Sequence, residues 1–343
     1  MNPELESYKK TKVTEITNAF NAEVNILKNK LNSSINSVNR MAINNKLKLS
    51  YIYAYISNYN LTVNKLKTKL YSDIKAINLT TVIPGKTKSA LLIGINYNKT
   101  SMQLYGCIND ANNINKLLQT KYGYKNITLL TDDTNKKPNK QNILNEFTNL
   151  LGNAVSGDTI FFSYSGHGTY TTDLNKDELD GQDELIVPLD AVSIKTCILD
   201  DELNNIIKTN LKPGVKLFAL FDSCFSGTVL DLKYNYLDTN NFGNVTVNPN
   251  VNEIVGQVFM ISGCTDKQTS ADTVLSDGKT YTNVGAMTFA FLDAINKNDS
   301  SITFKTLVEK MRIFLKSNGY TQIPQLSSGT AIDINTVVFK NFI

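Results

Sequence analysis

One histidine and one cysteine frame the chemistry open to this chain. His167 is the only imidazole among 343 residues, and it lies in Ser165-Gly166-His167-Gly168, at the end of the apolar run DTIFFSYSG (158–166). Cys224 lies in Asp222-Ser223-Cys224-Phe225-Ser226-Gly227, at the end of a second apolar run, VKLFALFDSC (215–224). A thiol beside an imidazole is the minimum apparatus for acyl transfer, because the thiolate is the nucleophile and the imidazole sets its population. The two residues are 57 positions apart, and two parallel strands ending at one sheet edge can bring them together. The glycines around His167 allow tight backbone geometry and close approach of another segment. A lone histidine is more often a satisfied core or surface group, and a lone cysteine a small buried apolar one, so the pairing alone leaves both readings open.

The elements that must position this pair read as alternating strands and helices from Lys88 onward. Apolar β-runs occur at 89–97, 126–133, 158–166, 215–224 and 256–264, with helical spacing at 109–120, after Pro138, at 285–297 and at 303–317. This alternation predicts an α/β fold with a mostly parallel sheet covered by helices on both faces, and places ligand and catalytic groups at the carboxyl ends of the strands. Residues 184–199 read as a small β-excursion.

Residues 1–83 differ: they hold no glycine and, after Pro3, no proline. Phe20, Val24, Leu27, Leu31, Ile35 and Val38, then Ile52, Ile56, Tyr59, Val63, Leu66, Leu70, Ile74 and Ile77, mark two amphipathic stripes. They predict an α-helical hairpin joined near 43–48, either packing on the rest of the chain or on itself, or acting as a partner-binding or self-associating coiled coil. Pro84-Gly85 breaks the pattern and sets the expected division: a helical N-terminal extension at 1–83 and an α/β domain at 84–343.

Composition narrows the class. Net charge is +4, with lysines spread along the chain and no dense basic run, so nucleic acid is not implied. No stretch approaches the ~20 apolar residues of a membrane helix, and MNPELESYKK offers no signal-peptide core, so the expected location is cytoplasmic. The four cysteines (Cys107, Cys197, Cys224 and Cys264) form no CxxC pair, which leaves them as free thiols in a reducing compartment.

Eight segments in order resemble the metacaspase family: ALLIGINY (90–97), LYGCINDA (104–111), FFSYSGHG (161–168), DGQDELIVPLD (180–190), ILDDEL (198–203), DSCFSGT (222–228), SGCTDKQTSAD (262–272) and GAMTFAFL (285–292). The similarity spans about residues 88–335, and the short stretch between Cys224 and the second SGC motif resembles a type I arrangement. It implies a caspase-like sandwich, with a large-subunit-like part at 84–232 and a small-subunit-like part at 250–343, and the His-before-Cys order of caspases.

The resemblance also implies a cysteine endopeptidase cleaving after Arg or Lys in protein or peptide substrates. Cys224 would be the nucleophile and His167 the base, with the Gly168 and Cys224 amides as oxyanion donors. Asp110 and Asp222 match the acidic pocket for a cationic side chain, and Cys107 and Ser165 match its wall. Either aspartate could instead serve locally, Asp110 as a helix cap and Asp222 as a turn residue. Asp183, Asp200, Asp201 and Asp231 match the carboxylates that bind activating Ca²⁺ in metacaspases; a solvated acidic loop, with Asp200-Asp201 capping a helix at 202–208, is the alternative. Asp177, Glu178 and Asp180 could join that cluster. The family implies a monomer and self-cleavage after a basic residue, for which Lys233, and then Lys267 and Lys279, are candidates.

The sequence departs from many relatives at Phe225, where they carry histidine, which leaves His167 without a substitute. Two other functions stay open. A catalytically silent interaction module would not need both His167 and Cys224. An Asp-specific caspase would need pocket arginines, whereas this chain offers Asp110 and Asp222.

Overall fold

The computed structural model describes residues 3–79, 87–173, 181–224, 227–236, 245–263, 272–276, 281–298 and 302–343. The chain divides into two compact units, Met1–Ile83 and Pro84–Ile343. The first contains helix α1 (Pro3–Asn39) and helix α2 (Asn45–Leu79). They are joined by a turn at 40–44, slightly ahead of the expected joint. Asn44 ends that turn because its side chain accepts from the Leu47 amide at 2.9 Å, satisfying a free N–H of the new helix. The two apolar stripes are the sheltered faces of the hairpin, with Val38 and Val63 buried.

The second unit runs β1 (Lys88–Gly94), α3 (Cys107–Lys121), β2 (Asn126–Thr131), α4 (Lys140–Asn153), β3 (Thr159–Ser165), β4 (Gly168–Thr172), β5 (Gln182–Ile186), β6 (Ile198–Leu199) and α5 (Asp200–Asn210). It continues with β7 (Lys216–Asp222), β8 (Tyr234–Asn235), β9 (Thr246–Val247), β10 (Gln257–Ser262), β11 (Asp272–Ser276), β12 (Tyr281–Gly285), α6 (Ala286–Lys297), α7 (Phe304–Ser317), β13 (Gln325–Ser328) and α8 (Phe339–Phe342). The central sheet has the order β2-β1-β3-β7-β10-β13-β8-β9. Its first five strands are parallel and its last three antiparallel, so the expected mostly parallel sheet is present. The excursion expected at 184–199 is a separate sheet, β4-β5-β6.

Alternation along the strands builds two cores. Phe161, Phe218, Leu220, Phe259 and Ile261 face one side, against Ala111 and Ile114 of α3, Ala290 and Phe291 of α6 and Leu307 and Met311 of α7. Phe162, Tyr164, Ala219, Phe221 and Met260 face the other, against Ile143 and Phe147 of α4 and Leu203 and Ile207 of α5. Burial on both faces explains why β1, β3 and β7 read as continuous apolar runs. Helices α4 and α7 begin at Asn139 and Thr303, whose side chains accept from the amides of Asn142 (2.8 Å) and Thr306 (3.2 Å). Among the described residues, no helix is long and apolar enough to cross a membrane.

Candidate active site

The pairing of β3 with β7 sets the site. Their parallel register places Ser165 opposite Asp222, so both strands stop at the same carboxyl edge. His167 and Cys224 each follow two residues later. The Gly166 amide donates to the Asp222 carbonyl at 3.3 Å, carrying the pairing one step past the strands. Gly168 then meets the Cys224 segment directly: a Cβ built there would lie 2.1 Å from the Cys224 carbonyl oxygen and 3.3 Å from Ser223 Cβ. Only glycine permits that approach. Cys224 itself is partly exposed, whereas Cys107 and Cys197 are buried.

His167 is held from four sides. Its amide donates to the Tyr97 hydroxyl at 3.0 Å, and its carbonyl accepts from the Tyr164 hydroxyl at 2.7 Å and the Val187 amide at 3.1 Å. Tyr97 in turn donates to the Val187 carbonyl at 2.6 Å, and its ring lies 4.8 Å from the imidazole between centroids. Burial pushes both tyrosine hydroxyls above their ordinary range, so they remain protonated donors at neutral pH. Tyr97 adopts φ 51°, a left-handed conformation that a bulky residue pays for only where its surroundings fix it. The fourth contact is the imidazole Nε2, 2.8 Å from the Met102 carbonyl oxygen. A carbonyl can only accept, so Nε2 carries a proton in that contact and Nδ1 is left as the basic nitrogen of the neutral ring.

On the α3 and α6 side, Asp110 and Asp222 converge. A Cβ built on Gly285 would lie 2.1 Å from Asp222 Oδ2 and 2.7 Å from Asp110 Oδ2, so the two carboxylates flank one point. Both are buried. Asp110 accepts from the Ser165 hydroxyl at 2.7 Å and from the Gly285 amide at 2.9 and 3.1 Å; Asp222 accepts from the Thr288 amide at 2.8 Å. The amide at the start of α6 adds the positive end of a helix dipole to Asp222. Asp110 is not a cap: α3 begins at Cys107 with Gly106 before it, and Asp110 sits inside the first turn. Cys107 is buried at that helix start, its carbonyl so close to β1 that a Cβ on Gly94 would lie 2.3 Å from the oxygen.

A second acidic group converges at β5. Glu184, Asp200 and Asp231 are buried, with ligand oxygens all within 4.8 Å of one another. Asp200 accepts from the amides of Glu184 and Asp201, and Thr228 donates to Glu184 at 2.7 Å. Asp231 turns at φ 46°, another left-handed position. Of the four expected ligands, Asp200 and Asp231 are in this trio, and Asp183 and Asp201 are outside it. The reason is strand alternation: Asp183 and Glu184 are successive residues of β5, so their side chains leave opposite faces. Asp200 and Asp201 do not precede a helix at 202; they form the first turn of α5. Asp177, Glu178, Asp180, Phe225, Cys264, Lys267, Lys279, the Pro84-Gly85 break and most of the SGCTDKQTSAD motif lie outside the described residues.

A family model for the metacaspase peptidase C14 domain matches residues 88–233. Metacaspase-1 of Kluyveromyces lactis is 38% identical over 298 residues, covering 72% of this chain and 67% of the relative. The chain belongs to the metacaspase family. Metacaspase-2 of Trypanosoma brucei brucei is 34% identical over 271 residues, covering 75% of this chain and 77% of that one. Among solved structures, a Geobacter sulfurreducens protein covers 75% of this chain and 98% of its own at a TM-score of 0.53 and 21% identity, a likeness of fold. Family membership makes the chain a cysteine-type peptidase with protein substrates and the caspase-like architecture described above.

Within this metacaspase frame, several contributors were not legible in the sequence. The Met102 group that engages His167 is a backbone carbonyl, which carries no residue-type signal. Glu184 adjoins an expected ligand, and only the β5 pleat distinguishes the two. Tyr97 and Gly285 both lie within quoted motifs, but their roles depend on segments distant in sequence.

Proposed function

We propose that this metacaspase is an endopeptidase that cleaves after Arg or Lys, with Cys224 as nucleophile and His167 as base. The carrying observation is the convergence of Asp110 and Asp222 beside the dyad. Two buried carboxylates aimed at one point repel each other, and their amide and hydroxyl donors offset only part of that cost. A substrate guanidinium or ammonium would be drawn to this negative pair, while an aspartate side chain would add a third negative charge.

In this mechanism Nδ1 of His167 takes the thiol proton and the Cys224 thiolate attacks the scissile carbonyl. The Gly168 and Cys224 amides are the proposed oxyanion donors. His167 returns its proton to the leaving amine, and water hydrolyses the thioester. Turnover of an Arg- or Lys-terminated fluorogenic peptide, with an Asp-terminated peptide alongside, tests the assignment; preference for the Asp peptide would refute it.

Calcium stimulation belongs to the same proposal. Glu184, Asp200 and Asp231 are a hard, buried oxygen set that suits Ca²⁺ better than zinc or copper, and Asp183 and Asp201 adjoin it in sequence. A bound ion would offset the mutual repulsion of these carboxylates and brace β5, whose end carries Val187 against His167. Self-cleavage after Lys233 is also proposed. Its carbonyl accepts from the Asn248 amide at 2.8 Å, so the step requires β8 and β9 to separate first. The reading is of a cytoplasmic monomer acting on proteins, without nucleic acid or membrane; partner binding by the N-terminal hairpin fits the same picture.

A further inference from the structure

A cavity of about 550 Å³ opens beside His167 on the side away from the acidic pocket. His167 and Gly168 form one edge, and Met102, Val187, Ala191, Val192, Ile194 and Cys197 supply most of the remaining wall. None of Asp110, Asp222 or Ser165 lines it. Its position in the layers explains the separation. Asp110 rides on α3 and Thr288 on α6, which cover one face of the central sheet, whereas Val187 and Cys197 belong to the core on the opposite face. The dyad stands at the sheet edge between the two.

This arrangement fixes what can enter. The residue before the scissile bond supplies the carbonyl attacked by Cys224. The residue after it supplies the nitrogen that receives the His167 proton, so its side chain must emerge next to the imidazole. We infer that this cavity is the subsite for the residue immediately after the scissile bond and that it selects a large apolar side chain there. The inference rests on the peptidase reading above and extends it to the leaving-group side of the substrate.

The wall chemistry carries the selectivity. Val192 and Ile194 are 88% and 52% exposed, so apolar surface is held open to solvent with nothing packed on it among the described residues. Covering it with a substrate Leu or Phe removes apolar surface of both partners from water, which favours such residues over Gly or Asp. At about 550 Å³ the cavity has room for one aromatic side chain. Cys197 is buried at the floor, its Sγ 3.5 Å from the Ser193 carbonyl. Burial pushes this thiol above its ordinary range, with Lys140 opposing in part, so at neutral pH it is an apolar floor and not a rival nucleophile. Among the described residues, no lysine, arginine or carboxylate lines the cavity to favour an acidic or a basic side chain.

The test uses the full chain with calcium and a set of internally quenched peptides. Arg precedes the scissile bond throughout, and Leu, Phe, Gly, Asp or Lys follows it. An Arg-aminocoumarin amide, which has no residue on that side, reports the dyad alone. The expected result is kcat/KM for Leu and Phe higher than for Gly and Asp by roughly tenfold or more, the usual scale for an apolar pocket. Ile194→Asp should shrink the Leu-to-Gly ratio and raise the relative rate for Lys. Equal rates across the set, with the coumarin amide still cleaved, would overturn the subsite and leave the peptidase reading standing. Failure to cleave the coumarin amide or any peptide would overturn both.

Discussion

The Cys224 carbonyl and Gly168 approach so closely that a Cβ on residue 168 would sit 2.1 Å from the oxygen, well inside van der Waals contact. The His167 loop and the Cys224 loop are therefore fitted to each other through main chain, and no rotamer change can relieve an added methyl group. Gly168→Ala must displace one loop from the other. The expected outcome is a drop in kcat/KM of on the order of 100-fold or more, with the far-UV circular dichroism of the folded protein retained, as sub-ångström positioning is worth that much in catalysis. Near-full activity would mean that the two loops move freely.

His167 has no second imidazole to replace it, so His167→Ala should abolish turnover of the Arg peptide. Tyr97→Phe is the finer test. It removes the hydroxyl that joins the His167 amide to the Val187 carbonyl, a loss of about 1–2 kcal/mol in a buried network. Steady-state kinetics should show kcat falling roughly tenfold with KM little changed, because the imidazole and not the substrate pocket is loosened.

Asp222→Asn keeps the shape of the acidic pocket and removes a charge. Loss of one partner from a buried charged contact costs about 2–5 kcal/mol, so kcat/KM for Arg peptides should fall by about 100-fold, chiefly through KM. Gly285→Ala should weaken the same substrates by pushing Asp222 and Asp110 apart. If both variants cleaved Arg peptides normally, the cationic substrate side chain would have to bind elsewhere.

Alkylation separates the thiols by pH. The Cys197 pKa is raised by burial, so its thiolate is scarce at neutral pH and becomes abundant only above the ordinary thiol range of about 8.5. Iodoacetamide followed by peptide mass spectrometry should therefore label Cys224 ahead of Cys197 near pH 7, with Cys197 rising only in alkaline buffer. Early labelling of Cys197 would contradict its burial.

Calcium should raise the melting temperature of the wild-type chain with the logarithm of its excess over Kd, and a chelator should reverse the shift. Glu184→Gln should reduce that calcium-dependent shift, and the Glu184→Gln/Asp231→Asn pair should abolish it. An unchanged shift in the pair would move the ion away from this trio.

The sequence made the framework legible because parallel strands buried on both faces spell themselves out as apolar runs, and β1, β3, β7 and β10 begin and end within a few residues of those runs. Side-chain placement was legible where a residue type is rare or motif-bound, as with His167, Cys224 and Asp222 at one sheet edge. What stayed hidden depends on register and main chain. Nothing in the string marks the Met102 carbonyl as the acceptor of Nε2, and the pleat of β5 decides between Asp183 and Glu184 without leaving a trace in composition. The reach of Gly285 between two carboxylates from distant segments is likewise a property of the assembled layers.

The solitary imidazole has a consequence outside kinetics. With one histidine in the chain, every imidazole signal in a magnetic-resonance spectrum originates from His167 and needs no assignment. Its Nε2–H, held by the Met102 carbonyl, ties the ring to one tautomer, and ring nitrogens distinguish tautomers by chemical shift. The molecule thus carries a native probe at the proposed site of proton transfer. Filling of the cavity that His167 itself lines is expected to register at that residue without attaching a label.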